Sequence, residues 1–169
     1  MRGRAIALSC VLLTMGSFSV FADENNVDDN GFNAKLTGFQ ETPPILTDGQ
    51  GSLTLSLNPG GTSLSYSLTF SGLSSIATAS HIHFAQPGVA GNVFVFLCSG
   101  PRPACPAAGG TVTGTITAAD VLGVPSQGIT AGSFSDLLRV LQSGEGYVNV
   151  HSTNHPGGEI RGQIKSEND

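Results

Sequence analysis

The chain has 169 residues, enough for one domain with a core of its own. Only 11% of the residues are charged, 23 are glycine and none is tryptophan, which fits short strands joined by many turns better than helices. Twelve acidic residues against seven basic ones give a net charge of −5 and argue against nucleic acid or anionic lipid as partners.

Residues 1–22 read as a secretory signal. Arg2 and Arg4 form a basic start, Ala5 to Val20 is mostly apolar, and Val20-Phe21-Ala22 ends in small residues at a predicted cleavage site after Ala22. As a membrane anchor the stretch is short, and no stop-transfer pattern follows it. Cys10 lacks the leucine three places earlier that a lipoprotein signal carries. Cleavage would leave five basic and twelve acidic residues, a net −7, with no membrane span, and would place the protein outside the cytoplasm, periplasmic or secreted. Residues 23–31 are polar and acidic and read as a flexible tail; the C-terminal residues from Lys165 onward look similar, so the domain is expected over 32–165, with 166–169 as a tail.

Between the tails, residues two apart repeatedly share apolar character. Phe32, Ala34 and Leu36 alternate with polar residues; so do Leu53, Leu55 and Leu57, and then Leu64, Tyr66, Leu68 and Phe70. That period places apolar side chains on one face of a strand and hydroxyl residues on the other. Asn58-Pro59-Gly60-Gly61 between the last two runs predicts a hairpin. Further strands are expected at Ala79 to Ala85, Val93 to Leu97, Thr111 to Thr117, Tyr147 to His151 and Glu159 to Ile164. Phe134, Leu137, Leu138 and Leu141 instead follow helical spacing, with Ser133 as a cap, Asp136 in the first turn and Gly144 past the end. The expected fold is all-β: an immunoglobulin-like antiparallel sandwich or barrel of about eight strands with one short helix.

Loss of Cys10 with the signal would leave Cys98 and Cys105 as a pair. In an oxidising compartment they are expected to form a disulfide; two lone cysteines at this spacing match no zinc pattern. No Gly-x-Ser-x-Gly elbow and no phosphate-binding glycine loop before a helix occurs.

The histidines gather in two places. If Ile82 and Phe84 point into the core, His81 and His83 point outward together. If Val148 and Val150 point in, Tyr147, Asn149 and His151 point out; if Ile160 and Ile164 point in, Glu159, Arg161 and Gln163 point out. Pairing Asn149 with Arg161 and His151 with Glu159 keeps opposed residues on one face, and places Glu159 to accept from His151 as carboxylates do behind metal-bound histidines. Two histidines at i and i+2 with a third from a neighbouring strand suit copper or zinc, and their nitrogens would then lie within about 4 Å of one another. The competing reading is a solvated or hydrogen-bonded polar face. His155 is expected to be a loop residue.

Three segments carry a resemblance. Leu36-Thr37-Gly38-Phe39-Gln40-Glu41-Thr42-Pro43-Pro44 is similar to the opening of a CHRD domain, the repeat first described in chordin. Ala79-Ser80-His81-Ile82-His83 resembles its central histidine motif, and Tyr147-Val148-Asn149-Val150-His151 followed by Pro156 to Gln163 resembles its closing signature. The resemblance implies an immunoglobulin-like β fold in an extracellular or cell-surface setting and no established activity. His81-Ile82-His83 with Val150-His151 also resembles the copper-ligand order of copper/zinc superoxide dismutases, but no histidine lies between His83 and His151 to supply the bridging and zinc-loop ligands.

Two functions follow. The first is a non-catalytic module that binds an extracellular or periplasmic protein or ligand through an exposed face of His81, His83, Asn149, His151, Glu159 and Arg161. The second is a copper- or zinc-binding protein using His81, His83 and His151, with dismutase-like chemistry as its furthest extension.

Overall fold

The computed structural model describes residues 31–167. The expected signal segment, Cys10, the acidic stretch 23–30 and the last two residues lie outside them. The predicted strands form as expected: β1 (Gly31–Thr37), β2 (Gln50–Leu57), β3 (Ser63–Ser71), β4 (Ala77–Phe84), β5 (Asn92–Cys98), β6 (Gly110–Thr117), β7 (Gly146–Ser152) and β8 (Ile160–Gln163). A two-residue β9 (Lys165–Ser166) pairs with Phe32 and Asn33 of β1, so the ladder runs one residue beyond the expected domain end. Gly31, expected in the acidic tail, likewise opens β1.

All pairings are antiparallel, and the strands run in the order β5-β4-β7-β8-β1-β2-β3-β6 within one sheet. Of the two forms open from the sequence, sandwich and barrel, the chain takes a nearly closed barrel. The alternation decides what faces inward. Phe32, Ala34, Leu36, Leu53, Leu55, Leu64, Leu68, Phe70, Ile82, Val148 and Val150 are all buried in one core, and the hydroxyl residues between them along β2 and β3 face out.

The open seam lies between β5 and β6. Tyr66 crosses it: its hydroxyl donates to the Leu97 carbonyl at 2.7 Å. The ring lies over Gly114, its partner on β6, where any Cβ would sit 2.7 Å from the tyrosine ring. Cys98, at the end of β5, is bonded to Cys105 in the loop leading to β6, as expected. The helix α1 (Phe134–Gln142) starts at Ser133, whose Oγ accepts from the Asp136 N–H at 3.2 Å. It buries Leu137, Val140 and Leu141 and packs beside Gly146 and Ile164 at one end of the barrel. No described helix is long and apolar enough to cross a membrane.

Candidate metal centre

The outer face of β4, β7 and β8 carries the site. Asn149 lies opposite Arg161, as expected; β4 pairs with β7, a neighbourhood the sequence left open, and sets His81 opposite Asn149 and His83 opposite Tyr147. The β4–β5 ladder shifts register on either side of His81 and Ile82, which turns Phe96 of β5 against the His81 ring, centroids 4.6 Å apart.

This face is not a solvated surface, contrary to expectation. His81 is 9% exposed, His83 7%, and Asn149 and Arg161 2% each. Three loops close over it. The β4–β5 loop supplies the Gly91 carbonyl to His83 Nδ1 at 3.0 Å, and the Val89 and Gln86 carbonyls accept from the Arg161 guanidinium at 2.8 and 2.9 Å. The loop after β1 supplies Thr42, whose hydroxyl accepts from Arg161 at 3.2 Å. The β7–β8 turn supplies the Pro156 carbonyl to His151 Nδ1 at 2.9 Å. Only His151 stays half-exposed, and it marks the open side of the cluster. An exposed docking face made of these six residues is therefore ruled out by the loops that cover it.

Glu159 is the second correction. It does not meet His151. The paired ladder ends at Val150 and Ile160, where the Glu159 N–H donates to the Val150 carbonyl at 2.8 Å. Gly158, at φ +130°, twists the turn, and the carboxylate faces the side of Ser152 rather than that of His151. There, fully buried, it accepts from Thr47 Oγ1 at 2.6 Å, the Ser74 N–H at 2.7 Å, Ser74 Oγ at 3.0 Å and Ser152 Oγ. Burial pushes this carboxyl upward, but those four bonds outweigh it and hold it below the usual carboxylate range. Glu159 is a structural clamp at the C-terminal end of β7, on the side of Ser152.

Arg161 does share the outer face. Its guanidinium lies 3.5 Å from the Tyr147 ring centroid, and the Tyr147 ring stacks on His83, centroids 4.6 Å apart and planes 7° from parallel. His155 lies in the turn and joins no cluster, as expected.

The three remaining histidines converge. His81 Nδ1 and His151 Nε2 are 3.0 Å apart, and the ligating atoms of His81, His83 and His151 all lie within 4.8 Å of one another. Carbonyls only accept, so the bond to Pro156 fixes His151 as the Nδ1–H tautomer, while His83 faces an acceptor at each nitrogen, the Gly91 carbonyl at Nδ1 and Asn149 Oδ1 at Nε2, 3.1 Å away. In the metal-free chain, His81 Nδ1–H donates into the His151 lone pair; to ligate through Nδ1, His81 would carry its proton on Nε2 instead. Burial, then the neighbouring imidazoles, pushes the His81 pKa down to about 3; burial likewise lowers His83 and His151. All three rings are thus neutral, as ligands must be. Two nitrogens bound at 2.0–2.1 Å span at most about 4.2 Å, so a pair 4.8 Å apart must close by about 0.6 Å to share an ion.

Several residues of the site were not singled out from the sequence. Tyr147 was placed on the outer face without a role, Phe96 only as a strand residue, and Gly91 not at all. Glu41, in the opening motif, lies buried beside Asn149, and its Oε1 has no hydrogen-bond partner among the described residues.

Residues 32–164 match the family model described as CHRD domain. No curated protein and no solved structure matches the chain. With the match spanning most of its length, the chain belongs to the CHRD domain family.

Proposed function

We propose that this CHRD-domain protein is a metal-binding module working outside the cytoplasm, which holds one copper or zinc ion between His81 Nδ1, His83 Nε2 and His151 Nε2. One observation carries the reading. The rings of His83 and His151 each present Nδ1 to a backbone carbonyl, which leaves Nε2 as the nitrogen available for an ion, and the ligating atoms of all three rings lie within 4.8 Å of one another. A ring oriented by its second nitrogen in this way is the usual support behind a metal-bound histidine. An all-imidazole donor set suits copper or zinc, and three ligands leave a further coordination position for water or a small ligand. Half-exposed His151 gives that position access. The disulfide and the signal-like residues 1–22 support export.

The test is loading with copper or zinc, dialysis and elemental analysis. One equivalent should remain, and should be lost in His81→Ala and His151→Ala but kept in His155→Ala. Metal far below one equivalent, or a content that His81→Ala leaves unchanged, would remove the reading. Superoxide turnover by the copper-loaded protein separates redox chemistry from metal holding. A protein partner would meet the domain not at the covered polar face but at the loop after β1, where Phe39 is 69% and Leu46 89% exposed.

A further inference from the structure

We propose that Glu41 is a positioning residue of the histidine cluster: acting through Asn149, its carboxyl group holds His83 in the Nδ1–H tautomer, whose Nε2 carries the lone pair that ligates once an ion displaces the Asn149 N–H. This rests on the metal reading above.

The argument starts from a mismatch. Asn149 Oδ1 faces His83 Nε2 at 3.1 Å, while the Gly91 carbonyl faces Nδ1 at 3.0 Å. Both partners are acceptors. A ligating imidazole is neutral and carries one N–H, so one of these contacts sets lone pair against lone pair. The Gly91 carbonyl has no proton to give. The Asn149 amide does: a half-turn about its terminal bond exchanges oxygen and nitrogen at almost no steric cost. Nδ2–H then donates to His83 Nε2, and Nδ1–H is committed to Gly91.

That half-turn presents Asn149 Oδ1 to Glu41. The two side chains are neighbours: a Cβ at Gly158 would lie 2.9 Å from Asn149 Nδ2 and closer still to Glu41 Oε1. Glu41 is 7% exposed, and its Oε1 makes no hydrogen bond among the described residues. A protonated carboxyl supplies the missing donor and completes a chain from Glu41 through Asn149 and His83 to the Gly91 carbonyl, with every member satisfied. Burial favours that protonated form, against the Thr42 N–H, Arg161 and Asn149. The charged or titratable groups around the carboxyl are Arg161 from β8, the Tyr147 phenol from β7 and His155 across the neighbouring cleft. An ionised Glu41 would instead draw Nδ2–H to itself, leave Oδ1 on His83 and favour Nε2–H, which blocks the ligating lone pair. The chain joins the opening, central and closing segments of the sequence pattern at one point.

The test uses the metal-free protein labelled with 15N, with the His83 tautomer read from its two ring-nitrogen shifts. Wild type should show Nδ1–H. Glu41→Gln donates the same bond and should keep that tautomer. Glu41→Ala removes the donor, and the Nε2–H form should appear. Asn149→Asp, which only accepts when ionised, should convert His83 to Nε2–H. Metal affinity should follow: near wild type in Glu41→Gln and about 10–100-fold weaker in Glu41→Ala. A wild-type His83 protonated at Nε2, or a Glu41→Ala protein with wild-type tautomer and affinity, would overturn the proposal. If Glu41→Ala does not fold, loss of the Nδ1–H tautomer in Glu41→Gln, or its retention in Asn149→Asp, overturns it equally. A protein with all the predicted tautomers that takes up no metal keeps the hydrogen-bond chain and removes the metal reading alone.

Discussion

Replacing Glu159 with alanine is expected to cost about 3–5 kcal/mol of folding stability, the range seen when one member of a buried charged network is removed. The carboxylate is fully buried and takes four hydrogen bonds, from Thr47, twice from Ser74, and from Ser152. Those donors come from the loop before β2, the loop between β3 and β4, and the end of β7, so one side chain ties three segments. Bonds to an ionised acceptor contribute about 1.5–3 kcal/mol each, but the hydroxyls can rotate or bind water once the carboxylate is gone, so the loss stays below their sum. At about 2–4 °C per kcal/mol for a domain of this size, the melting temperature should fall by about 6–20 °C. Glu159→Gln should cost less, about 1–2 kcal/mol, because the Ser74 and Ser152 hydroxyls can reverse and accept from the amide while its oxygen keeps Thr47 and the Ser74 N–H. The dependence on pH gives a second check. The folded carboxyl lies below its unfolded value of about 4.5, so its stabilisation is complete above that pH and is lost as pH falls through the folded value. Urea unfolding from pH 7 to pH 3 should therefore be flatter below about 4.5 in Glu159→Gln. An alanine variant within 0.5 kcal/mol of wild type (on the order of ordinary surface substitutions), or a glutamine variant as damaged as the alanine, would refute the clamp.

Gly158→Ala should destabilise the domain by about 2–4 kcal/mol in denaturant unfolding, since a side chain at that backbone angle is strained and its Cβ would meet Glu41 and Asn149. Removing the disulfide with the paired substitution Cys98→Ala and Cys105→Ala should cost about 2–3 kcal/mol for so short a loop, with the fold kept in circular dichroism. The histidines give a separate pH window. Their folded pKa values lie below the ordinary 6.5, reaching about 3 for His81, so the unfolded chain binds the extra protons and stability drops as pH falls from 6.5. That loss should begin well above the Glu159 window, persist in Glu159→Gln and shrink in His81→Ala, as measured by melting temperature against pH.

The fold was legible because side-chain period alone places Leu53, Leu55, Leu64, Leu68 and Phe70 on one side of their strands, and each of them is buried. The same odd–even sorting brought His81, His83, Asn149, His151 and Arg161 to one face and set the Asn149–Arg161 pairing. Burial of that face was not legible. It comes from Gln86, Val89, Gly91, Thr42 and Pro156, which lie in loops with no period, and which reach the site mostly through backbone carbonyls that any residue carries. Glu159 was misplaced because alternation holds only while the ladder holds, and the turn at Gly158 ends it one residue sooner than a regular hairpin would. Glu41 reaches Asn149 across more than a hundred residues of chain. Its only signal in the sequence was its place in the Gln40-Glu41-Thr42-Pro43-Pro44 segment.

The most direct measurement is an anomalous difference map from crystals of the protein loaded with copper or zinc, collected at that metal's absorption edge. The account predicts one peak, about 2.0–2.1 Å from His81 Nδ1, His83 Nε2 and His151 Nε2, with Gly91 and Pro156 still accepting from the far nitrogens. A map with no peak among the three rings, or with its peak at His155, would contradict it.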